Sequence, residues 1–594
     1  MSNSGLNKRP LDLKILAGLF ILQGLSLLID YFVSLGEASP GNSIRLIGGL
    51  AEFVAGVGLL YLRRPFRTLA LVLVWVQFLI GFGIAAAAVS RGGMQNAWVF
   101  LILLLNVWEY WVLVRSRTRV LFGLSEPLKP FSVGVKTIAI VLGIFVGIPV
   151  VINMPDQNLR SEVKDFLTFK KADLPDQENA FFAVLGFAAP DDMHSAGEEI
   201  WRRYERDVLE HRLDRDFKYN DERYAVDRPL EFKGDNKQLC RPASESLTAR
   251  KFNFDCIKYY KQHRTEITGL LSSNQALIQR YVTLLGYRKF REPQMPMSLY
   301  LKKFSLTTSS HYLFQARSAL LFVDGKHQEA LRMLQRDTVF WRIVMAGNCH
   351  VISKVVAARY LQSDLALMLE MAQTKEIDQN LLAAMAQGLR SFTQSERDMS
   401  CPMRSEFYIT KDLVGRASII ADLVDREPDH WFQRLPVSFA MKRNATTNIL
   451  YDDYLWWYRL GATDAKQFNE AMLKKAQSKP SWSWNWAYLY NPGGRFFAYV
   501  SMPHGNSYDK YFQRVHDTDA LLRLVRLQVE IRRQRVTEKD LHSFLRSVPE
   551  DMLDPYTNEA MRWNGELKML FTMGYKRVNE DNEGVVGVPI SFAQ

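Results

Sequence analysis

The sequence lacks the short motifs that mark the common nucleotide-dependent, zinc-dependent and serine-dependent active sites. It contains no P-loop, no GxGxxG fingerprint, no HExxH, no GxSxG and no paired CxxC. These absences exclude the enzyme classes that depend on those motifs, but not an enzyme whose residues meet only in the folded chain. We therefore expect no cofactor and no metal ion, and the sequence gives no positive reason to assign an enzyme.

Acidic residues are scarce in residues 1–153, where 6 Asp and Glu stand against 13 Lys and Arg. The whole chain has 63 acidic and 75 basic residues and a net charge of +12, so the chain beyond residue 153 is close to balanced. Cations beside apolar segments are typical of membrane flanks. A nucleic-acid groove needs a basic patch interleaved with aromatic side chains. The sequence contains no such patch, and we predict no nucleic-acid partner.

Cysteine is rare, and the four cysteines lie at positions 240, 256, 349 and 401. An even number is typical of disulfide pairing in an oxidising compartment. Cys240 and Cys256 flank a short polar loop, so we predict that they pair and stabilise the fold by about 3 kcal/mol in the chain-entropy model. Cys349 is in a helical context, where it is either a buried thiol or the partner of Cys401.

The first 154 residues contain five long apolar runs. A membrane-spanning helix needs about 17–25 mostly apolar residues, and the runs at 15–33, 44–62, 68–89, 97–114 and 137–154 have suitable lengths. Further runs follow the first, so we interpret it as an uncleaved anchor rather than a signal peptide. We predict a four-helix transmembrane bundle over 1–132 and a fifth transmembrane helix over 133–154.

The distribution of Lys and Arg predicts how these segments are oriented. Clusters lie before the first run, between the second and third, and between the fourth and fifth, whereas the other connections carry only Arg45 and Arg91. Cationic loops stay on the cytoplasmic side, so we expect a cytoplasmic N-terminus and a periplasmic domain after five crossings of a bacterial inner membrane. The fifth run contains Pro149, and without its crossing the large domain would be cytoplasmic.

Two carboxylates, Glu52 and Glu109, lie more than a helical turn inside the predicted spans. Ionisable side chains within a membrane mark ion or proton pathways in many proteins. Under the predicted topology these two lie toward opposite faces of the membrane, and Arg115 is close enough to pair with Glu109. We therefore favour a compact anchor bundle, with a transport or sensor role as the alternative.

The chain beyond the apolar quarter is predicted to form a large, mainly α-helical domain. We expect a linker over 155–177, an N-terminal part with the disulfide over 178–300, an antiparallel helical array over 301–395, and a helical, aromatic-rich part over 396–594. Asn564-Gly565 between two apolar stretches is typical of a hairpin turn. The fold class is therefore mainly α, with a small β-hairpin at the C-terminus.

Within the array, one helix is predicted to end near Gly325 and the next to begin at once, as in a helical hairpin. Further helices of the array are predicted over 348–361, 363–373 and 377–391. A long helix is predicted over 507–534, in the C-terminal part of the domain. The phrase around Glu329-Ala330-Leu331 is similar to the second helix of tetratricopeptide hairpins. The sequence has no sustained 34-residue period, so an irregular helical domain is an equal alternative.

Aromatic residues alternate in KPSWSWNWAYLYNPGG, residues 479–494, where Trp482, Trp484 and Trp486 occupy every second position. A period of two favours a strand with one aromatic face, although Trp482 and Trp486 are also one helical turn apart. These rings either fill the core, contact a partner or the membrane surface, or stack on sugars.

Asp191, Asp192, His194 and Glu198 form the best candidate group of catalytic or metal-binding side chains that the sequence offers. His194 and Glu198 share a helical face, which is a spacing that could bind a metal ion. The same residue types are also typical of a capped helix start, and we interpret them in that way.

Several stretches resemble an uncharacterised family of proteobacterial inner-membrane and envelope proteins. They are ENAFFAVLGFAAPDD, the cysteines at 240 and 256, ALIQRYVTLLGYRKFREP, RNATTN, YNPGG and HDTDALLRLVRLQVEIRR. The resemblance covers most of residues 178–590, and YWVLVRSRTRVLFG is similar to small bacterial membrane proteins. Neither resemblance carries an assigned activity, so both imply only a bacterial envelope setting.

These features together predict a membrane-anchored periplasmic interaction or assembly protein. Its expected partners are the lipid bilayer and another envelope protein. An envelope enzyme acting on cell-wall or lipid-linked material is the alternative, and it would require distant His, Asp or Glu residues to converge in the fold.

Overall fold

A computed structural model of the protein divides the chain into two compact units. The first is formed from residues 1–156 and 479–492, and the second from residues 157–478 and 493–594. The structure describes the following ranges: 11–33, 41–90, 97–114, 116–123, 156–168, 174–211, 229–242, 255–293, 304–375, 377–415, 441–477, 490–501, 508–573 and 586–592. The predicted fifth span lies outside these residues, as do Trp482, Trp484 and Trp486.

The described chain is mainly helical with one small antiparallel sheet, as the sequence predicts. The helices of the first unit are α1 (Leu11–Val33), α2 (Gly41–Leu60), α3 (Arg64–Ser90), α4 (Ala97–Val114) and α5 (Ser116–Leu121). The second unit continues with α6 (Ser161–Leu167), α7 (Ala180–Leu185), α8 (Met193–His211), α9 (Cys256–Gln262), α10 (Arg264–Ser273), α11 (Gln275–Leu284), α12 (Phe304–Val323), α13 (His327–Gly347) and α14 (Val351–Gln373).

The later helices are shorter except for one long helix near the C-terminus. They are α15 (Gln379–Gly388), α16 (Gln394–Arg397), α17 (Ser400–Gly415), α18 (Arg443–Gly461), α19 (Ala465–Gln477), α20 (Pro492–Ser501), α21 (Asp509–Arg533) and α22 (Leu541–Ser547). The strands are β1 (Arg562–Asn564), β2 (Met569–Phe571) and β3 (Gly587–Pro589), and single 3₁₀ turns lie at Asp176–Glu178, Asn236–Gln238 and Glu550–Met552.

Glycines allow the first two helices of the first unit to pack closely. A Cβ added to Gly49 would lie 2.9 Å from the carbonyl oxygen of Gly24, and one added to Gly56 would lie 2.8 Å from that of Ala17. Close approach of two helix backbones through small residues is typical of membrane helices. Within the described residues, one helix is long and apolar enough to cross a membrane, over Leu11–Leu28, and the apolar stretch of α2 is shorter, at Gly49–Leu60.

The core of the second unit is built around α12, α13, α14 and α21. The turn between α12 and α13 is the predicted one, because α12 ends at Val323 and Gly325 has a φ of +76° that favours glycine. The helix α14 packs on both α13 and α21. Its central residues are buried on all sides, so it forms the axis of this unit.

The helix α14 replaces two helices that the sequence predicted over 348–361 and 363–373. The predicted break fell at the polar residues Gln362, Ser363 and Asp364, yet all three are buried inside a continuous helix. Hydrogen bonds from neighbouring helices satisfy much of their polar surface: Gln362 donates to Thr518 at 2.9 Å, and Ser363 donates to Gln315 at 2.9 Å. Tertiary partners therefore overcame a local signal that is typical of a loop.

The second unit contains both disulfides that four cysteines allow. Cys240 pairs with Cys256, as predicted, with 5.6 Å between the Cα atoms. Cys349 pairs with Cys401, which resolves the alternative that the sequence left open. The first bond ties the start of α9 to the preceding segment, and the second ties the connection between α13 and α14 to α17.

The stretch 155–177, which we predicted to be a linker, contains the helix α6. Val163 of α6 is fully buried in a smaller apolar cluster with Phe407 and Tyr454. Arg404 of α17 donates a hydrogen bond to the carbonyl oxygen of Phe166 at 2.7 Å. The segment is thus packed against α17 and α18. Most of its side chains are polar, so the sequence did not indicate that one apolar face of α6 is buried.

The predicted C-terminal hairpin is confirmed and gains a third strand. β1 and β2 pair antiparallel with Asn564 opposite Met569, so the connection has four residues instead of the two expected from Asn564-Gly565. β3 pairs with the other edge of β2. Gln528 of α21 fixes this end of the chain, because its side chain accepts a hydrogen bond from the backbone N–H of Ser591 and donates to its carbonyl oxygen.

Candidate functional site

A network of buried polar side chains lies in the core of the second unit, where α11, α12 and α13 meet. The hydroxyl of Tyr281 donates to Asp337 Oδ1 at 2.7 Å and accepts from the Trp341 Nε1–H at 2.7 Å. His311 Nδ1 lies 3.0 Å from Asp337 Oδ2 and 3.0 Å from the Tyr281 hydroxyl. The ring of His311 also stacks on Tyr360, with 4.3 Å between ring centroids.

A second carboxylate, Asp364, completes the network from α14. Its Oδ1 accepts a hydrogen bond from Gln315 Nε2 at 2.7 Å. A nitrogen of His311 and one carboxylate oxygen each of Asp337 and Asp364 lie within 4.8 Å of one another, and all three residues are fully buried. One imidazole and two carboxylates at this separation are a donor set that could bind a metal ion.

Burial dominates the electrostatics of this network. It raises the pKa of Asp364 well above the usual range, the charge of Asp337 adds to the rise, and the hydrogen bond from Gln315 and the nearby Thr338 hydroxyl offset part of it. That hydroxyl approaches Asp364 without the geometry of a hydrogen bond. Burial and Asp337 also raise the pKa of Tyr281, so its hydroxyl stays protonated and acts as a donor.

A cavity of about 540 Å³ lies elsewhere in the second unit, beside α9. Apolar side chains from α9 and α12 form part of its wall, cationic side chains lie at Lys258 and Lys261, and His327 contributes an imidazole. Glu370 contributes a carboxylate. The residues that line the cavity are Ile257, Lys258, Lys261, Phe322, Val323, Gly325, His327, Glu370, Gln373 and Thr374.

The Glu370 carboxylate joins the cavity to the first disulfide. Its Oε2 accepts a hydrogen bond from the backbone N–H of Ile257 at 2.8 Å, at the start of α9 and next to Cys256. Its Oε1 is buried and has no hydrogen-bond partner among the described residues. Burial raises the pKa of Glu370 to about 7, against the opposing effect of the backbone N–H groups of Ile257 and Cys256.

The group at the start of α8 is a helix cap, as the sequence favoured. Asp192 Oδ2 accepts a hydrogen bond from the backbone N–H of Ser195 at 2.8 Å. The Ser195 side chain and this backbone N–H lower the pKa of Asp192. His194 Nε2 lies 2.7 Å from the carbonyl oxygen of Asp176, and Nδ1 lies 3.7 Å from Glu198. The His194 ring therefore has a structural partner at Nε2. Asp191 contributes its backbone carbonyl oxygen, which accepts a hydrogen bond from Arg280.

The two carboxylates of the first unit, Glu52 and Glu109, are both buried. Their carboxylates are near enough for their charges to interact. Glu52 Oε1 accepts a hydrogen bond from Gln77 at 2.7 Å. The predicted partner Arg115 lies outside the described residues, and both carboxylate oxygens of Glu109 have no partner within them.

The sequence did not reveal His311, Asp337 and Asp364, because they are 26 and 27 residues apart along the chain and match no motif. One signal was available: Asp337 lies three residues after the buried Leu334 and four before the buried Trp341, on the core face of α13. A carboxylate at such a position needs a buried partner.

The chain matches no protein-family model, no curated protein and no solved structure.

Proposed function

We propose that this protein is a membrane-anchored interaction protein of the bacterial envelope, whose helical domain lies in the periplasm and binds an acidic group of a partner protein. The observation that carries the proposal is the cavity beside α9, with Lys258 and Lys261 at its exposed side and a buried carboxyl group inside. Apolar and cationic walls together suit an acidic side chain or chain end that is flanked by apolar residues.

The two disulfides support the periplasmic part of this proposal. Disulfides persist in oxidising compartments and are rare in the cytosol, and all four cysteines are paired. The apolar helix at Leu11–Leu28 supports a membrane anchor, and the proposal of several crossings rests on the alternation of cationic loops in the sequence. The resemblance to envelope proteins points to the same compartment.

The acidic partner is inferred from the charges around the cavity. Lys258 and Lys261 are exposed on one face of α9, and His327, the first residue of α13, also lines the cavity. Arg264, the next cation along the chain, is already paired with Asp324 at 2.5 Å, whereas neither lysine forms an ion pair with any residue that the structure describes. A carboxylate of the partner would provide the negative charge with which these lysines can pair.

A reporter fusion tests the proposed topology. Alkaline phosphatase fused after Gln594 is expected to be active, because the enzyme needs periplasmic oxidation, and green fluorescent protein fused at the same position is expected to be dark. The matched control is the same pair of fusions placed after Arg67, in a connection that we predict to be cytoplasmic. A silent phosphatase and a fluorescent protein at residue 594 would contradict the periplasmic placement.

Photo-crosslinking tests the cavity as the binding site. A photoreactive phenylalanine analogue at Val323, on the cavity wall, is expected to give an adduct of defined mass in intact cells. The double substitution Lys258→Glu and Lys261→Glu is expected to reduce its yield at least about tenfold, since it replaces attraction of an acidic group with repulsion.

The control carries the same change of charge away from the cavity, at Lys237 and Lys539, which are both exposed. This control is expected to keep the adduct. Equal loss in both double variants, or an adduct that survives reversal of the cavity charges, would reject the cavity as the site that binds the acidic group.

A further inference from the structure

We propose that His311 and Asp364 bind a divalent transition-metal cation in the core of the helical domain, and that Asp337 positions the His311 imidazole for it. This inference is independent of the proposed interaction function. It concerns a site on α12, α13 and α14, none of whose three residues lines the cavity beside α9.

The hydrogen bonds leave one nitrogen of His311 available for a metal ion. Asp337 Oδ2 lies 3.0 Å from Nδ1, and a carboxylate acceptor there places the ring proton on Nδ1. Nε2 then carries a lone pair, yet it is buried and has no hydrogen-bond partner within the described part of the chain. A histidine that donates one N–H to a carboxylate and offers its other nitrogen is the usual arrangement at metal sites.

The carboxylate of Asp364 is the second ligand that the geometry provides. Gln315 occupies its Oδ1, whereas Oδ2 is buried without a hydrogen-bond partner among the described residues. A ligand atom of Asp364 lies within 4.8 Å of ligand atoms of His311 and Asp337. Buried acceptor atoms without a hydrogen bond are costly, and a cation bound by both His311 and Asp364 would satisfy them.

The donor atoms of the cluster favour a divalent transition-metal cation. Asp337 and Asp364 are fully buried, and neither forms an ion pair with Lys or Arg in the described ranges. Buried carboxylates are stable when they are paired or when they coordinate a metal. One imidazole nitrogen and one carboxylate favour Zn²⁺, Mn²⁺ or Fe²⁺ over the harder Ca²⁺ and Mg²⁺, which prefer oxygen ligands alone.

The location of the cluster predicts slow exchange of the ion. All three residues are completely buried, so the ion would enter as the domain folds and would leave only when the helices separate. The cysteines cannot bind a metal ion while both disulfides are intact. A tightly held metal ion in the oxidised protein would therefore be bound by His and carboxylate side chains.

The test is metal analysis of the full chain, purified in detergent with both disulfides intact and dialysed against EDTA. Elemental mass spectrometry is expected to find about one equivalent of a first-row transition metal per chain. His311→Asn and the near-isosteric Asp364→Asn are each expected to reduce this content at least about tenfold. Asp337→Asn, which keeps the ring in place with a weaker acceptor, is expected to weaken metal affinity by about 10- to 100-fold.

The matched control is His194→Asn combined with Glu198→Gln, which removes another histidine–carboxylate contact of this domain, with 3.7 Å between His194 Nδ1 and Glu198 Oε1. This control is expected to keep the full metal content. X-ray absorption of the wild-type protein gives a second measurement that does not depend on any variant folding, and it is expected to show a metal bound by one imidazole and oxygen ligands.

Less than about a tenth of an equivalent in wild type for every divalent metal ion supplied during expression would overturn the proposal. Full retention by His311→Asn, or an absorption spectrum without imidazole scattering, would overturn it as well.

Discussion

At the scale of single residues, Glu370 shows how one carboxyl group links distant parts of the helical domain. It belongs to α14, and its Oε2 accepts the backbone N–H of Ile257 at the start of α9. Asp255 occupies the N-cap position of that helix and makes no side-chain cap hydrogen bond. A residue more than a hundred positions away thus performs the capping role that sequence patterns assign to a neighbour.

Glu370 is expected to make the stability of the helical domain depend on pH. Its pKa is raised from 4.5 to about 7, so the folded chain holds this proton more tightly than the unfolded chain. The stabilisation is complete below about pH 4.5 and is lost as the pH rises through about 7. The loss is on the order of 3 kcal/mol.

Chemical denaturation of wild type and Glu370→Gln across pH 4 to 8, with both disulfides intact, measures this effect. The amide keeps the acceptor for Ile257 but has no charge, so the variant is expected to gain stability over wild type as the pH rises. Glu329→Gln, at an exposed glutamate of α13, serves as the control. Parallel pH curves for wild type and Glu370→Gln would show that Glu370 does not titrate in this range.

At the scale of helices, the two disulfides close loops of very different length along the sequence. Cys240 and Cys256 are 16 residues apart, and Cys349 and Cys401 are 52 apart. The second bond joins the α13–α14 connection to α17. Glu292, which precedes α12, also holds this connection, because its carboxylate accepts the backbone N–H groups of Cys349 and His350. Helix positions around this connection are thus held both covalently and by hydrogen bonds.

Removal of the disulfide that closes the longer loop is expected to destabilise the domain more than removal of the other disulfide. In the chain-entropy model the 16-residue loop contributes about 3 kcal/mol and the 52-residue loop about 4 kcal/mol. The measurement compares urea denaturation of Cys240→Ser/Cys256→Ser with that of Cys349→Ser/Cys401→Ser, each with the other bond oxidised. A larger loss in the first variant would mean that native packing outweighs the entropy of the unfolded chain.

Close contacts between helix backbones also act at this scale. A Cβ on Gly197 of α8 would lie 1.8 Å from the carbonyl oxygen of Phe182 in α7, and one on Gly186 would lie 2.1 Å from that of Met193. Only glycine permits such an approach at both positions. These two glycines explain how the short apolar helix α7, which is buried along its whole length, fits beneath α8.

At the scale of the whole molecule, the two units differ in what holds them together. The first unit relies on glycine-mediated helix contacts and on guanidinium groups that bind carbonyl oxygens near helix ends. For example, Arg67 Nε donates a hydrogen bond to the carbonyl oxygen of Leu113 at 2.9 Å. The second combines one extensive apolar core with buried polar networks and two disulfides. This difference agrees with a proposed division into an anchor and a domain that folds in an oxidising compartment.

The sequence by itself determined the features that depend on neighbouring residues. Capping residues predicted a helix start at Asp191-Asp192, Gly325 marked the turn between α12 and α13, and Asn564-Gly565 marked the C-terminal hairpin. The spacing of Cys240 and Cys256 predicted the first disulfide. Each of these depends on geometry within about a turn or a short loop, which a linear pattern records directly.

Only the tertiary structure decided which distant polar groups meet. It joined Gln362, Ser363 and Asp364 into a continuous helix, paired Cys349 with Cys401, and placed His311 beside Asp337. A buried polar side chain is stable only when another element supplies its partner, and the cost of leaving it unpaired is set by the folded core and not by its neighbours in sequence. The cavity beside α9 and the proposed metal site both follow from that long-range pairing.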